Sequence, residues 1–125
     1  MLTAEWMGWS SVERVRILAI GDIGPLDGMF HVGDEAMFDE LVFRLRARGA
    51  TDIVGLSSNV VDSAARYGIT SVSPLGFGGL TRVQQEARAA QILDDPGSLA
   101  PDDPAHAVID AIGASDGVAI AGGGN

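Results

Sequence analysis

The residues with chemical potential gather in three short stretches. The first is Gly-rich and runs from 21 to 35 (GDIGPLDGMFHVGDE); it holds His31, Gly33, Asp34 and Glu35. Glycines at 21, 24, 28 and 33 ahead of a helix suggest a phosphate cradle, but the spacing is neither GxGxxG nor a Walker loop. Two carboxylates at the helix start would repel a phosphate docked on the same amides. One reading makes Asp34 a helix cap and Glu35 a complement to the helix dipole, a cap being worth about 0.5–2 kcal/mol. The other gives one of them hydrogen bonds from sugar hydroxyls or a part in proton transfer. Sequence physics alone favours the first.

The second stretch is Ser57-Ser58-Asn59, whose hydroxyls and amide suit either a polar ligand or an ordinary turn. The third is Gly122-Gly123-Gly124-Asn125. Three consecutive glycines are entropically costly and make sense where a ligand or another backbone approaches closely. A metal site is not expected. His31, Asp34 and Glu35 lack the spacing of a helix metal site, and the other histidine, His106, is remote and reads as a surface or packing residue.

Composition narrows the chemistry. The chain has 125 residues with 17 Asp plus Glu against 8 basic residues, a net charge of −9. All the basic residues are Arg. Nucleic acid and anionic lipid are therefore poor partners. Without Lys there is no Walker lysine and no Schiff base. Without Cys there is no disulfide frame, thiol nucleophile or thiolate zinc site, which fits the cytoplasm. The apolar runs are strand-sized, far short of the roughly 18 residues a membrane helix needs. Mean hydropathy of +0.21 and 46% hydrophobic residues indicate a folded domain.

The elements that must position these stretches alternate. Residues 15–20 (VRILAI) read as a strand buried on both faces. A helix over 34–48 carries Met37, Leu41 and Leu45 as its core stripe, with Phe38 and Val42 beside them. Arg44, Arg46 and Arg48 read as solvated helix-end charges. Strands follow at 52–56 and 70–72, separated by a short helix over 61–67. A helix over 80–93 has Leu80, Val83, Ala87, Ala90 and Leu93 on one side, with Arg82 and Arg88 pairing with Glu86 or solvent. Residues 94–103 read as an exposed acidic loop, residues 104–112 as a helix capped by Asp103, and residues 116–121 as a last strand. This is an α/β fold, a Rossmann-like mainly parallel sheet with flanking helices. Residues 1–13, with Trp6 and Trp9, read as a loosely ordered leader, and 14–125 as one partial domain. A final strand feeding a Gly-rich loop normally leads to a crossover helix, which predicts a truncated domain of a longer polypeptide. In such sheets ligands bind beyond the carboxyl ends of the strands, so the three stretches should open on one edge.

These residues resemble a known family. Residues 15–21 (VRILAIG), the Gly-rich loop and His31-Val32-Gly33-Asp34-Glu35-Ala36-Met37 resemble the opening of polysaccharide pyruvyl transferase family proteins. There an Asn-x-Gly-Asp-Glu-Ala stretch starts the first helix. Leu56-Ser57-Ser58-Asn59 followed by Ala64-Ala65-Arg66-Tyr67-Gly68-Ile69 resembles the family's next segment, and Ala119-Ile120-Ala121-Gly122-Gly123-Gly124 its glycine triplet. Three differences stand out: His31 replaces Asn, PLDGMF lengthens the first loop, and Asn125 follows the triplet where Ser is usual.

The resemblance implies the N-terminal half of a two-Rossmann-domain (GT-B-like) transferase. It would move a pyruvyl group from phosphoenolpyruvate to a sugar of a cell-surface polysaccharide, with no other cofactor, in the cytoplasm. Asp34 and Glu35 would be catalytic; His31, Gly33, Ser58, Asn59, Gly122, Gly123 and Gly124 would bind substrate. The C-terminal domain and its donor-site residues would be missing, leaving the fragment inactive alone. The alternative is a small Rossmann-like module that binds a nucleotide or a partner.

Overall fold

A computed structural model of the chain describes residues 13–122. The expected leader up to residue 12, Gly123, Gly124 and Asn125 lie outside the described residues. The element order is β1 (Arg16–Ile20), α1 (Val32–Ala47), β2 (Asp52–Leu56), α2 (Val60–Tyr67), β3 (Thr70–Val72), α3 (Arg82–Asp94), a 3-10 turn (Pro96–Ser98), α4 (Ala105–Gly113) and β4 (Gly117–Ile120). The four strands form one sheet in the order β3-β2-β1-β4, and every pairing is parallel. This is the Rossmann-like α/β arrangement. The strand order reverses between β1 and β4, which is where such sheets open a crevice.

Strand alternation sorts the core into two layers. Ala19 and Ile53 face α1 and α2, packing with Ile23, Phe38, Val42, Tyr67 and Ile69. Leu18 and Val54 face the other way, onto Ala111 of α4. The Phe38 ring is fully buried and meets the Tyr67 ring edge-on at 4.9 Å. A Cβ on Gly55 would come within 3.2 Å of that ring and 2.7 Å of Ile69, so β2 needs glycine there.

Three expectations about packing are corrected. The buried stripe of α1 is Phe38 and Val42 together with Glu35, while Met37 is exposed and Leu41 and Leu45 only partly covered. The helix enters one residue out of phase with a face centred on Met37. On α3 the expected apolar face is not core: no residue of the helix is buried, and Val83 and Leu93 are 76% and 80% exposed. The helix itself is well specified, since Thr81 and Gln84 form a reciprocal capping box. Among the basic residues, Arg82 pairs with Glu86, but Arg88 does not. Its guanidinium forks onto both oxygens of Asp103 at 2.7 and 2.9 Å and also donates to the Leu75 carbonyl. Arg46 likewise is tied down, donating to the Gly68 carbonyl at the end of α2.

The acidic segment after α3 is not wholly exposed loop. It includes the 3-10 turn, buries Leu99 and ends on Asp103. Asp103 accepts from the Ala105 amide at 2.8 Å, so it caps α4 from one residue outside Pro104, the cap position. On β4, Val118 and Ile120 stay exposed at 52% and 70%.

The Arg88 guanidinium, helped by the Ala105 amide, holds the Asp103 carboxyl down to about 2 from 3.8. A depressed carboxyl adds stability that is complete above its unfolded value and lost as pH falls through the folded one. Asp103→Asn is therefore expected to lower the urea midpoint near neutral pH. The gap to wild type should close as pH falls from 3.8 toward about 2. A gap independent of pH over that window would contradict the ionic contact.

Candidate functional site

The loop after β1 is built in two parts. Residues Leu26 to Met29 make a minimal hairpin: the Met29 amide donates to the Leu26 carbonyl at 2.9 Å. Asp27 and Gly28 hold positive φ of 52° and 76°, the signature of a type I′ turn at Asp-Gly. The six-residue PLDGMF stretch thus projects Leu26, Met29 and Phe30 outward. Arg66 lies 4.7 Å above the Phe30 ring and pairs with Asp62, which raises the guanidinium pKa.

The other part of the loop is pinned to the segment after β2. The Ser58 amide donates to the Ile23 carbonyl at 3.1 Å, and Asn59 Nδ2 to the Pro25 carbonyl at 3.2 Å. Gly24 sits at φ +96°, and a Cβ there would overlap the Ser57 hydroxyl and the Asn59 amide. Only glycine allows the two loops to touch. Ser57 is buried, accepts from the Asn59 amide and meets the Ser63 hydroxyl at 2.7 Å. Asn59 Oδ1 caps α2 by accepting from the Asp62 amide.

Glu35 closes the assembly. It is 8% exposed, and both carboxylate oxygens are engaged. Oε2 accepts from the Gly24 amide at 2.8 Å, and Oε1 accepts from the Tyr67 hydroxyl. Burial, and then the bond to Glu35, push the Tyr67 hydroxyl well above its ordinary pKa of 10.0. Tyr67 thus stays a donor throughout the working pH range.

Around this frame lies a cavity of about 290 Å³. Asp22, His31, Glu35 and Ser58 supply polar groups, and Leu26 and Met29 of the hairpin an apolar wall; no arginine lines it. His31 Nδ1 lies 2.7 Å from Asp22 Oδ2 and 3.9 Å from Asp34 Oδ2. One ligand atom from each of Asp22, His31 and Asp34 falls within 4.8 Å of the others, so these three could hold a cation.

The structure brings His31, Glu35 and Ser58 to one cavity, with Asn59 bracing it from behind. Asp34 stands beside His31. It is not the α1 cap: His31 occupies that position without a side-chain cap bond, and Asp34 lies two residues inside the helix. Gly33 is exposed with open space around it. Gly122 follows β4 on the same sheet edge but lines a separate groove against α1 with Met37, Leu41 and Ile120. Two functional positions escaped sequence reasoning. Asp22 immediately follows the glycine that ends β1, a strand-end position the edge rule could have flagged. Tyr67 stands in a motif, but its bond to Glu35, 32 positions away, left no signal in the sequence.

Comparison of the chain with models of protein families, with curated proteins and with solved structures found no match. No helix among the described residues is long and apolar enough to cross a membrane.

Tyr67→Phe removes one partner of a buried carboxylate, which costs about 1–3 kcal/mol. Asp34→Ala, at a partly exposed first-turn position, is expected to cost about 0.3–1 kcal/mol. Urea denaturation of the two variants checks the order. Equal losses would show that the Tyr67–Glu35 bond is not what holds the loop.

Proposed function

We propose that this chain is the N-terminal, Rossmann-like half of a GT-B-like polysaccharide pyruvyl transferase, and that its cavity receives the saccharide acceptor. One observation carries the reading. The cavity offers carboxylates, an imidazole and a serine against an apolar hairpin wall, and no cation lines it. Carboxylates accept hydrogen bonds from hydroxyls, and an apolar wall suits the C–H face of a pyranose. Phosphoenolpyruvate, with its carboxylate and phosphate, would meet Asp22, Asp27 and Glu35 and be repelled.

On this reading the donor binds residues of a C-terminal domain beyond this chain, across the cleft. Asp34 can keep the catalytic role the resemblance gives it, whereas Glu35 becomes a positioning residue. Asp34 is open to an approaching hydroxyl. Glu35, with both oxygens bound, orients the loop that carries Gly24, which in turn holds Ser58 through the Ile23 carbonyl. The three stretches that resemble the family, in family order, support the assignment, and a cytoplasmic site of action would go with it.

Titration of ¹⁵N-labelled chain with methyl pyranosides tests the reading. Amide shifts of Gly24, His31 and Ser58 are expected to move with millimolar saccharide and to stay fixed with phosphoenolpyruvate or a nucleoside diphosphate. Shifts with the nucleotide alone would favour a nucleotide-binding module. Silence toward every saccharide would remove the acceptor site.

A further inference from the structure

The two nitrogens of His31 are in different situations. Nδ1 faces the Asp22 carboxylate at 2.7 Å, and Nε2 makes no hydrogen bond to any described residue. The side chain is half exposed at the cavity. A carboxylate only accepts, so a neutral imidazole here carries its proton on Nδ1 and keeps the lone pair on Nε2. His106 is the opposite case: its Nε2 lies 2.9 Å from the Ala100 carbonyl and must donate. An imidazole fixed in one tautomer by a carboxylate, with its other nitrogen free at a cavity, has the geometry of a general base.

We propose that Asp22 and His31 form a proton-transfer dyad. Nε2 of His31 takes the proton of a saccharide hydroxyl, and Asp22 holds the ring. This rests on the acceptor reading above. As the hydroxyl O–H bond breaks, the proton forms N–H at Nε2 and the freed oxygen pair bonds C2 of phosphoenolpyruvate. The enol double-bond pair takes a solvent proton at C3, leaving a tetrahedral C2 that still carries the phosphate; a second saccharide hydroxyl then bonds C2 as the C2–O bond to phosphate breaks, phosphate leaving with that pair and the hydroxyl proton going to solvent. The imidazolium returns its own proton to solvent, so charge balances. The competing use of Asp22, His31 and Asp34 is a divalent cation, which needs Nδ1 stripped of its proton.

Long-range ¹H–¹⁵N spectra of the labelled chain separate these. The dyad predicts Nδ1–H at His31 and Nε2–H at His106, with the His31 preference lost in Asp22→Asn. It also predicts that carbethoxylation of His31 by diethylpyrocarbonate slows about tenfold in Asp22→Asn, the equivalent of one charge-assisted hydrogen bond, with His106 unchanged. A methyl pyranoside should protect His31 in the wild-type chain. Nε2–H at His31, or a rate indifferent to Asp22→Asn, overturns the dyad even if the pyranoside binds. Displacement of the Nδ1 proton by micromolar Zn²⁺ overturns it in favour of a metal site. The expected tautomer without pyranoside protection removes the saccharide, and the acceptor reading with it.

Discussion

The buried Glu35 carboxylate is the constraint on which the site depends. A carboxylate withdrawn from water is costly unless its oxygens are bonded, and here one takes an amide of the loop after β1 and the other the hydroxyl that ends α2. Its place in the first turn of α1 adds the favourable end of the helix dipole. Three segments remote in sequence are thereby fixed to one another. The rest follows from that fixation: Gly24 is pressed against the β2 loop, Ser58 is turned to the cavity, and His31 is set beside Asp22.

Much of the frame was legible in the residues. The strands at Asp52–Leu56 and Thr70–Val72 fall where the turn and loop signals around them put them. The helix from Val32 begins two residues earlier than its carboxylates suggest, because His31 takes the cap position that Asp34 was expected to hold. What failed was the choice of buried face. On α1 the stripe of Met37, Leu41 and Leu45 competes with that of Phe38 and Val42, and only the sheet beneath decides between them. On α3 periodicity describes the helix, but no residue of it is buried against the described residues, so pattern could not predict exposure. The site was half legible. His31, Glu35, Ser58 and Tyr67 stand in motifs, whereas the pairing of His31 with Asp22 and of Tyr67 with Glu35 arises only from contacts that the sequence does not show.

The charge distribution gives the site its chemical bias. Acidic and hydroxyl groups line the cavity, while arginines are spent elsewhere: Arg88 on Asp103, Arg66 on Asp62, Arg44 on Glu40 and Arg46 on Gly68. Such a lining repels phosphates electrostatically, and the hairpin of Leu26 to Met29 gives it an apolar edge.

Native-state hydrogen exchange at the Gly24 amide tests the central claim most directly. If the Glu35 carboxylate holds this amide, the proton should exchange only through large-scale opening, close to the rate of the β2 core amides. Exchange of Gly24 as fast as that of the exposed Asp27–Gly28 turn would show that the buried carboxylate does not organise the site.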